Sequence, residues 1–177
     1  MKAQKRILVV YYSLSGKTER VAEDLATRLG AEREKIADLK SRRGFLGYLG
    51  AALDSIRERP AELAGLDKNP NDYALTIIGT PIWVGNITPA VRAYLRAIHG
   101  RCNDVAFFTT SGATPAEKVI PAMERLAGRQ AVAFAGFNDL DLKTSVRYEK
   151  KIAAFLEGLE RDRARLVCGQ EPKYAHA

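Results

Sequence analysis

Two hydrophobic spacings alternate along this chain. Short runs of consecutive apolar residues are typical of strands that are buried on both faces of a parallel sheet. The predicted strands are residues 7–12, a weaker segment at 34–39, and then 73–79, 105–109 and 131–137. Between them, apolar residues recur every three or four positions, which indicates amphipathic helices. The predicted helices span residues 19–29, 45–59, 89–98, 115–126 and 146–159, and residues 80–88 are predicted to form a loop.

This alternation predicts an α/β fold. Strands that are separated by helices are joined by right-handed crossovers, so they form a parallel sheet with helices on both faces. The expected architecture is a doubly wound, three-layer sandwich with a five-stranded parallel sheet. In such folds, ligands bind at the carboxyl ends of the strands, where the winding direction changes.

The length and composition fit a single domain. The chain has 177 residues, of which 46% are hydrophobic, and this suffices for one sizeable core. Within residues 1–177 we predict a helical insert at about 41–60 and a tail at about 161–177. No signal-peptide segment or membrane-spanning run is visible, so we expect a cytoplasmic protein without membrane contact.

Charge and cysteine content narrow the function classes. Lys and Arg number 28 against 21 Asp and Glu, a net charge of +7, but the basic residues are scattered. No nucleic-acid motif accompanies them, so we expect no nucleic-acid partner. Cys102 and Cys168 are far apart and have no ligand-like neighbours, and hence no metal site is predicted.

The turn at residues 13–18, Ser-Leu-Ser-Gly-Lys-Thr, carries the clearest chemical signal. It joins a predicted buried strand to a helix, so unpaired backbone N–H groups and the positive end of the helix dipole converge there. The hydroxyls of Ser13, Ser15 and Thr18 add hydrogen-bond donors, and Lys17 adds a charge. We interpret the turn as a binding site for one phosphate. The alternative is an ordinary turn in which these hydroxyls cap the helix.

The same turn resembles part of a nucleotide triphosphatase loop, G-x-x-x-x-G-K-[ST]. Tyr11 occupies the position of the first glycine, and no later strand ends in an aspartate for magnesium. A metal-free phosphate site is therefore the favoured interpretation.

Two further loops are unusual, namely residues 80–86 after the third predicted strand and residues 109–113 after the fourth. The first contains Trp83, the single tryptophan of the chain, whose indole offers a stacking face to a planar ligand. The alternative is an indole that folds back onto the core. Gly85 and Gly112 allow the backbone to approach such a ligand closely. The three loops together predict a ligand with a phosphate at one end and a flat ring at the other.

The chain contains three motifs in order, which are Ser-Leu-Ser-Gly-Lys-Thr at Ser13–Thr18, Gly-Thr-Pro-Ile-Trp at Gly79–Trp83 with Asn86 after it, and Thr110-Ser111-Gly112. Together they resemble the FMN-binding loops of the flavodoxin-like family. The resemblance extends to about residue 160 and implies the strand order 2-1-3-4-5 and FMN as cofactor. It implies that the first motif surrounds the phosphate and that the other two contact the isoalloxazine ring. The implied cofactor-binding residues are Ser13, Leu14, Ser15, Gly16, Lys17, Thr18, Thr80, Pro81, Ile82, Trp83, Val84, Gly85, Asn86, Thr110, Ser111 and Gly112.

The chain departs from the carriers of that family in two ways. It is basic where they are typically acidic, and it has Ser111-Gly112-Ala113 where they usually place a second aromatic residue. An open ring face favours a reductase, which needs room for nicotinamide or quinone.

The sequence leaves three functions open. The leading hypothesis is an FMN-binding redox protein that transfers electrons or hydride. The second is an NAD(P)H-dependent quinone or flavin oxidoreductase, and the third is a flavin-free module of the same fold. The partners left open are NAD(P)H, a quinone, redox partner proteins and a second copy of the chain. No side chain is assigned as catalytic, because a flavin supplies the chemistry.

Overall fold

A central sheet organises the protein. The computed structural model describes residues 6–36 and 67–167. The strands are β1 (Ile7–Tyr11), β2 (Glu32–Lys35), β3 (Leu75–Trp83), β4 (Asn86–Ile87), β5 (Asp104–Ser111) and β6 (Ala131–Asn138). The helices are α1 (Lys17–Leu29), α2 (Pro89–Ala97), α3 (Ile120–Ala127), α4 (Asp139–Lys143) and α5 (Ser145–Val167). Short 3-10 turns lie at Pro70–Asp72 and Ala116–Lys118.

The strand order is β2-β1-β3-β5-β6, and all of these neighbours pair in parallel. The two-residue β4 pairs antiparallel with β3 and lies off this path. Apart from β4, this is the predicted five-stranded parallel sheet with order 2-1-3-4-5, so the α/β fold class is confirmed.

The sheet separates two hydrophobic cores. Along β1, Leu8 and Val10 point into one core, and Val9 points into the other. This alternation follows from the two-residue period of a strand, and burial on both faces explains why these strands are continuously apolar. α2 and α3 contribute to the first core, whereas α1 and α5 contribute to the second.

The predicted second strand was misplaced. It was expected at residues 34–39, but β2 is Glu32–Lys35 and pairs with β1 in the register Leu8 to Glu32. β2 lies at the edge of the sheet and has the sequence Glu-Arg-Glu-Lys, so it lacks the apolar pattern from which a strand is predicted. Residues 37–39, the predicted helix at 45–59 and the insert at 41–60 lie outside the described residues.

The prediction of a loop at residues 80–88 was also wrong. β3 continues to Trp83, and a two-residue turn leads into β4. Val84 and Gly85 both have positive φ, 48° and 74°, as in the turns that favour tight hairpins. Valine rarely adopts this conformation, so residue 84 carries no turn signal in the sequence.

Two helix predictions need correction. The segment predicted as a helix at 115–126 is a 3-10 turn followed by α3. The closing helix begins at Ser145 and continues to Val167, through the first part of the predicted tail. The short α4 was not predicted, and it forms because Asn138 and Asp141 make a capping box at its start.

Within residues 6–36 and 67–167, no helix combines the length and the apolar character that crossing a bilayer requires.

Gly79 provides a test of the packing that brings β3 against β5. A Cβ atom at this position would overlap the ring of Phe108, which is completely buried. We expect Gly79→Ala to lower the free energy of unfolding by about 2–3 kcal/mol, because the ring has no free space to move into. Urea unfolding measures the loss.

Two further variants make this test specific. Gly79→Ala combined with Phe108→Leu should recover part of the loss relative to Phe108→Leu alone. Gly112→Ala is the matched control, since no atom lies within 4 Å of a Cβ built there. An unchanged midpoint for Gly79→Ala would contradict the packing described.

Candidate functional site

The candidate site lies at the carboxyl ends of β1, β3 and β5. These strands are adjacent in the sheet, although they are far apart in sequence. The chain leaves β1 toward β2 on one side and later returns to β3 on the other, so the winding direction changes between β1 and β3. The three unusual loops of the sequence follow these same strands and meet at this edge.

The turn after β1 exposes hydrogen-bond donors at the start of α1. Gly16 has φ of 83°, and its N–H donates to Ser13 Oγ at 3.1 Å. No side chain caps α1, so the N–H groups of its first turn are available to a ligand. Residues 14–17 are exposed, and Ser13 is buried. The Ser13 hydroxyl accepts a bond within the turn and retains its proton to donate.

A buried hydroxyl pair connects the first loop to the third. Thr18 Oγ1 lies 2.8 Å from Thr110 Oγ1, and both residues are almost fully buried. The structure therefore brings these two predicted site residues together beneath the surface. Their bond fixes the turn after β1 relative to the end of β5.

The predicted site residues of the second loop divide into a buried base and an exposed tip. Thr80 is completely buried, and its hydroxyl donates to the Pro81 carbonyl at 3.0 Å and lies 3.2 Å from Thr88 Oγ1. Pro81 is half-buried and Ile82 is buried, so they belong to the base. The tip consists of Trp83, Val84 and Asn86, which are exposed, and Gly85, which is half-buried.

Trp83 is positioned to offer part of its ring to a ligand. The indole remains 40% exposed and packs edge-on against Tyr12, with 5.8 Å between the ring centroids and 81° between the planes. Tyr12 directly follows β1, so this contact places the hairpin beside the first loop. The exposure argues against the alternative in which the indole fills the core.

The third loop is open. Ser111 Oγ donates to the Thr114 carbonyl at 2.7 Å, which closes a small turn around Gly112. Gly112 is exposed, and no atom lies within 4 Å of a Cβ built on it. A ligand can therefore approach the backbone here without displacing a side chain.

The structure adds Asp139 and Lys118 to the site, two residues that the sequence did not suggest. Lys17 Nζ forms an ion pair with Asp139 Oδ1 at 2.7 Å, and Asp139 begins α4 after the edge strand β6. The Lys118 ammonium lies beside the hairpin tip, 3.2 Å from the position of a Cβ built on Gly85. Neither contact was visible in the sequence, although Asn138 followed by Asp141 is a signal for the helix cap beside Asp139.

Asp141 holds the β6–α4 connection in place. The residue is completely buried, and its carboxylate accepts from Lys151 Nζ at 2.6 Å, from Asn138 N at 3.0 Å and from Arg147 Nε at 3.2 Å. Burial acts to raise the pKa of Asp141, but these bonds outweigh it and hold the pKa below the usual value. The carboxylate consequently stays ionised at neutral pH.

Tyr11, which occupies the position of the first glycine in a triphosphatase loop, faces α1. Its hydroxyl donates to Glu19 Oε1 at 3.0 Å. Burial and this bond raise the pKa of Tyr11 to about 12, so the phenol remains protonated. The bulk of this side chain fills space between β1 and α1 that a glycine would leave free.

The residues present fit FMN at both ends. A phosphate suits a donor set of backbone N–H groups, two serine hydroxyls and a helix dipole. An isoalloxazine ring suits the half-exposed indole of Trp83 and the open backbone of Gly112. Over residues 6–36 and 67–167, no group of three His, Cys, Asp or Glu side chains is arranged to bind a metal ion.

Comparison with known proteins finds flavoproteins of the same fold. The family model described as flavodoxin matches residues 6–132. A flavoprotein from Lactobacillus acidophilus NCFM, solved in complex with FMN, is 25% identical and has a TM-score of 0.56. That match covers 78% of this chain and 97% of the other. No curated protein matches the chain.

More distant structures share the fold. A WrbA-like flavodoxin from Agrobacterium tumefaciens is 17% identical with a TM-score of 0.51, over 90% of this chain and 96% of the other. Rubredoxin oxygen:oxidoreductase from Desulfovibrio gigas is 17% identical with a TM-score of 0.57, over 92% of this chain but 38% of the other. The latter match shows this fold as one part of a larger protein.

The hairpin tip stores backbone strain that a substitution should release. Val84 is fully exposed and has φ of 48°, which a β-branched residue adopts at a cost of about 1–2 kcal/mol. We expect Val84→Asn to raise the free energy of unfolding by about 1 kcal/mol, because asparagine tolerates this conformation and no packing is lost. Urea unfolding measures the gain. Val146→Asn is the control, since Val146 is also exposed but has negative φ, and equal effects of the two variants would refute the strain.

Proposed function

The chain belongs to the flavodoxin family, and on this premise we propose that it binds FMN non-covalently and transfers electrons or hydride through it. The observation that carries the proposal is the meeting of two unlike surfaces at one sheet edge. The uncapped start of α1 suits a phosphate, and the half-exposed indole of Trp83 suits a flat ring. FMN has both a phosphate and a ring.

At the phosphate end, we assign binding to neutral donors. The N–H groups of Ser15, Lys17 and Thr18 and the hydroxyls of Ser13 and Ser15 surround the anion. Leu14, exposed between the serines, provides apolar contact, and Gly16 provides the positive φ that the turn requires. The buried Thr18 fixes the turn through Thr110.

At the ring end, the second and third loops orient the cofactor. Trp83 provides the stacking face, and Val84, Gly85 and Asn86 border the ring. Ser111 and Gly112 border its other edge, while the residues of the buried base, Thr80, Pro81 and Ile82, hold the hairpin in place. When bound, the flavin supplies the redox chemistry by accepting and releasing electrons. The protein positions the flavin and excludes water from its stacked face.

A second candidate function is reduction of the flavin by NAD(P)H, followed by reduction of a quinone or another small acceptor. The open backbone at Gly112 favours it, because no described side chain covers that position. A nicotinamide must stack close to the flavin to transfer hydride, and an uncovered face permits this.

The phosphate assignment is tested with Ser15→Ala. Loss of one donor to a charged phosphate costs about 1.5–3 kcal/mol, so we expect the Kd for FMN to rise by about 10- to 100-fold. The Kd for riboflavin, which lacks the phosphate, should change by less than about twofold. Quenching of flavin fluorescence measures both constants. Thr27→Ala, at the other end of α1, is the control, and equal losses for FMN and riboflavin would contradict the assignment.

The redox role is tested on the protein loaded with FMN under anaerobic conditions. We expect NADPH alone to bleach the visible flavin absorbance, because the open face admits a nicotinamide. Bleaching by dithionite but not by NADPH or NADH would instead support an electron carrier that depends on a partner protein. A protein that neither carries flavin after purification nor quenches added FMN would overturn the whole proposal in favour of a flavin-free module.

A further inference from the structure

Lys17 serves two different parts of the site. It is the first residue of α1, so its backbone N–H belongs to the proposed phosphate site. Its ammonium is directed elsewhere and lies 2.7 Å from Asp139 Oδ1. The two side chains are 51% and 39% exposed, respectively. The one basic side chain of residues 13–18 is therefore paired with a carboxylate that lies 122 positions later in the sequence.

Asp139 is held firmly at that position. It opens α4, whose start is fixed by reciprocal bonds between Asn138 and the buried Asp141. The end of α4 is fixed as well, because Arg20 Nη1 donates to the Leu142 carbonyl at 2.8 Å. α1 thus contacts α4 through two basic side chains, and these bonds hold the backbone of Asp139 beside the first turn of α1.

The position of this carboxylate matters for a bound anion. The Lys17 side chain reaches Asp139 from the first turn of α1, so the carboxylate lies within about one Debye length, ~8–10 Å, of that turn, and solvent ions screen its charge only partly. An unpaired carboxylate there would repel a phosphate dianion. The Lys17 ammonium neutralises the charge of the Asp139 carboxylate at this position.

We propose that Lys17 supports FMN binding by neutralising Asp139 and not by contacting the phosphate with its ammonium, which makes Asp139 an affinity-setting residue of the site. This inference rests on the proposed function, since it concerns the phosphate of FMN. Lys17 and Asp139 are positioning residues in this role.

The test compares four proteins: the parent chain, Lys17→Met, Asp139→Asn and the double variant. The Kd for FMN and for riboflavin is measured at low and at high salt. We expect Lys17→Met to raise the Kd for FMN by about tenfold at low salt and by less at high salt. In the double variant the Kd for FMN should return to within about twofold of the parent value, because the repelling charge is gone. Riboflavin affinity should be unchanged throughout.

A direct contact between the ammonium and the phosphate gives a different result, because the double variant would then bind FMN as weakly as Lys17→Met. That result would overturn the inference, as would an unchanged Kd for FMN in Lys17→Met. Lys68→Met is the matched control, since it breaks a surface pair with Glu32 at the same distance of 2.7 Å outside the site. If the parent chain binds no FMN, the proposed function itself fails. If the parent binds FMN but the variants do not behave as expected, only the inference about Lys17 and Asp139 fails.

Discussion

The parallel pairing of β1, β3 and β5 is the constraint on which the site depends. Tyr11, the last residue of β1, lies opposite Gly79, and Gly79 lies opposite Phe108, so the three strands are in a fixed register at the end of β1, and β3 and β5 continue a few residues beyond it. A shift of one residue in either pairing would move buried side chains to the opposite face of the sheet. The two separate cores prevent such a shift, and the loops after these strands therefore meet in a defined arrangement.

Contacts between the loops then refine this arrangement. The Thr18–Thr110 hydroxyl pair connects the first loop to the third, and the Tyr12–Trp83 ring contact connects the first to the second. Both contacts lie at the ends of strands, where the sheet already limits motion. A ligand that binds there meets groups whose positions are largely set before it arrives, which lowers the entropic cost of binding.

The sequence located the apolar strands well and the polar strand poorly. β1, β3, β5 and β6 were located because packing against helices keeps them apolar, and three loop motifs in the right order indicated the family. β2 was misplaced because an edge strand can be polar. The hairpin at Val84 was missed because its turn depends on a backbone conformation that valine does not favour.

The sequence by itself determined the fold, the family and the loop that suits a phosphate, because each of these depends on local spacing and on short motifs. Only the tertiary structure decided how the polar side chains are used. Thr18 finds Thr110 across 92 positions, and Lys17 finds Asp139 across 122. Local spacing does not encode such pairs, since they form only when the sheet has brought distant strand ends together.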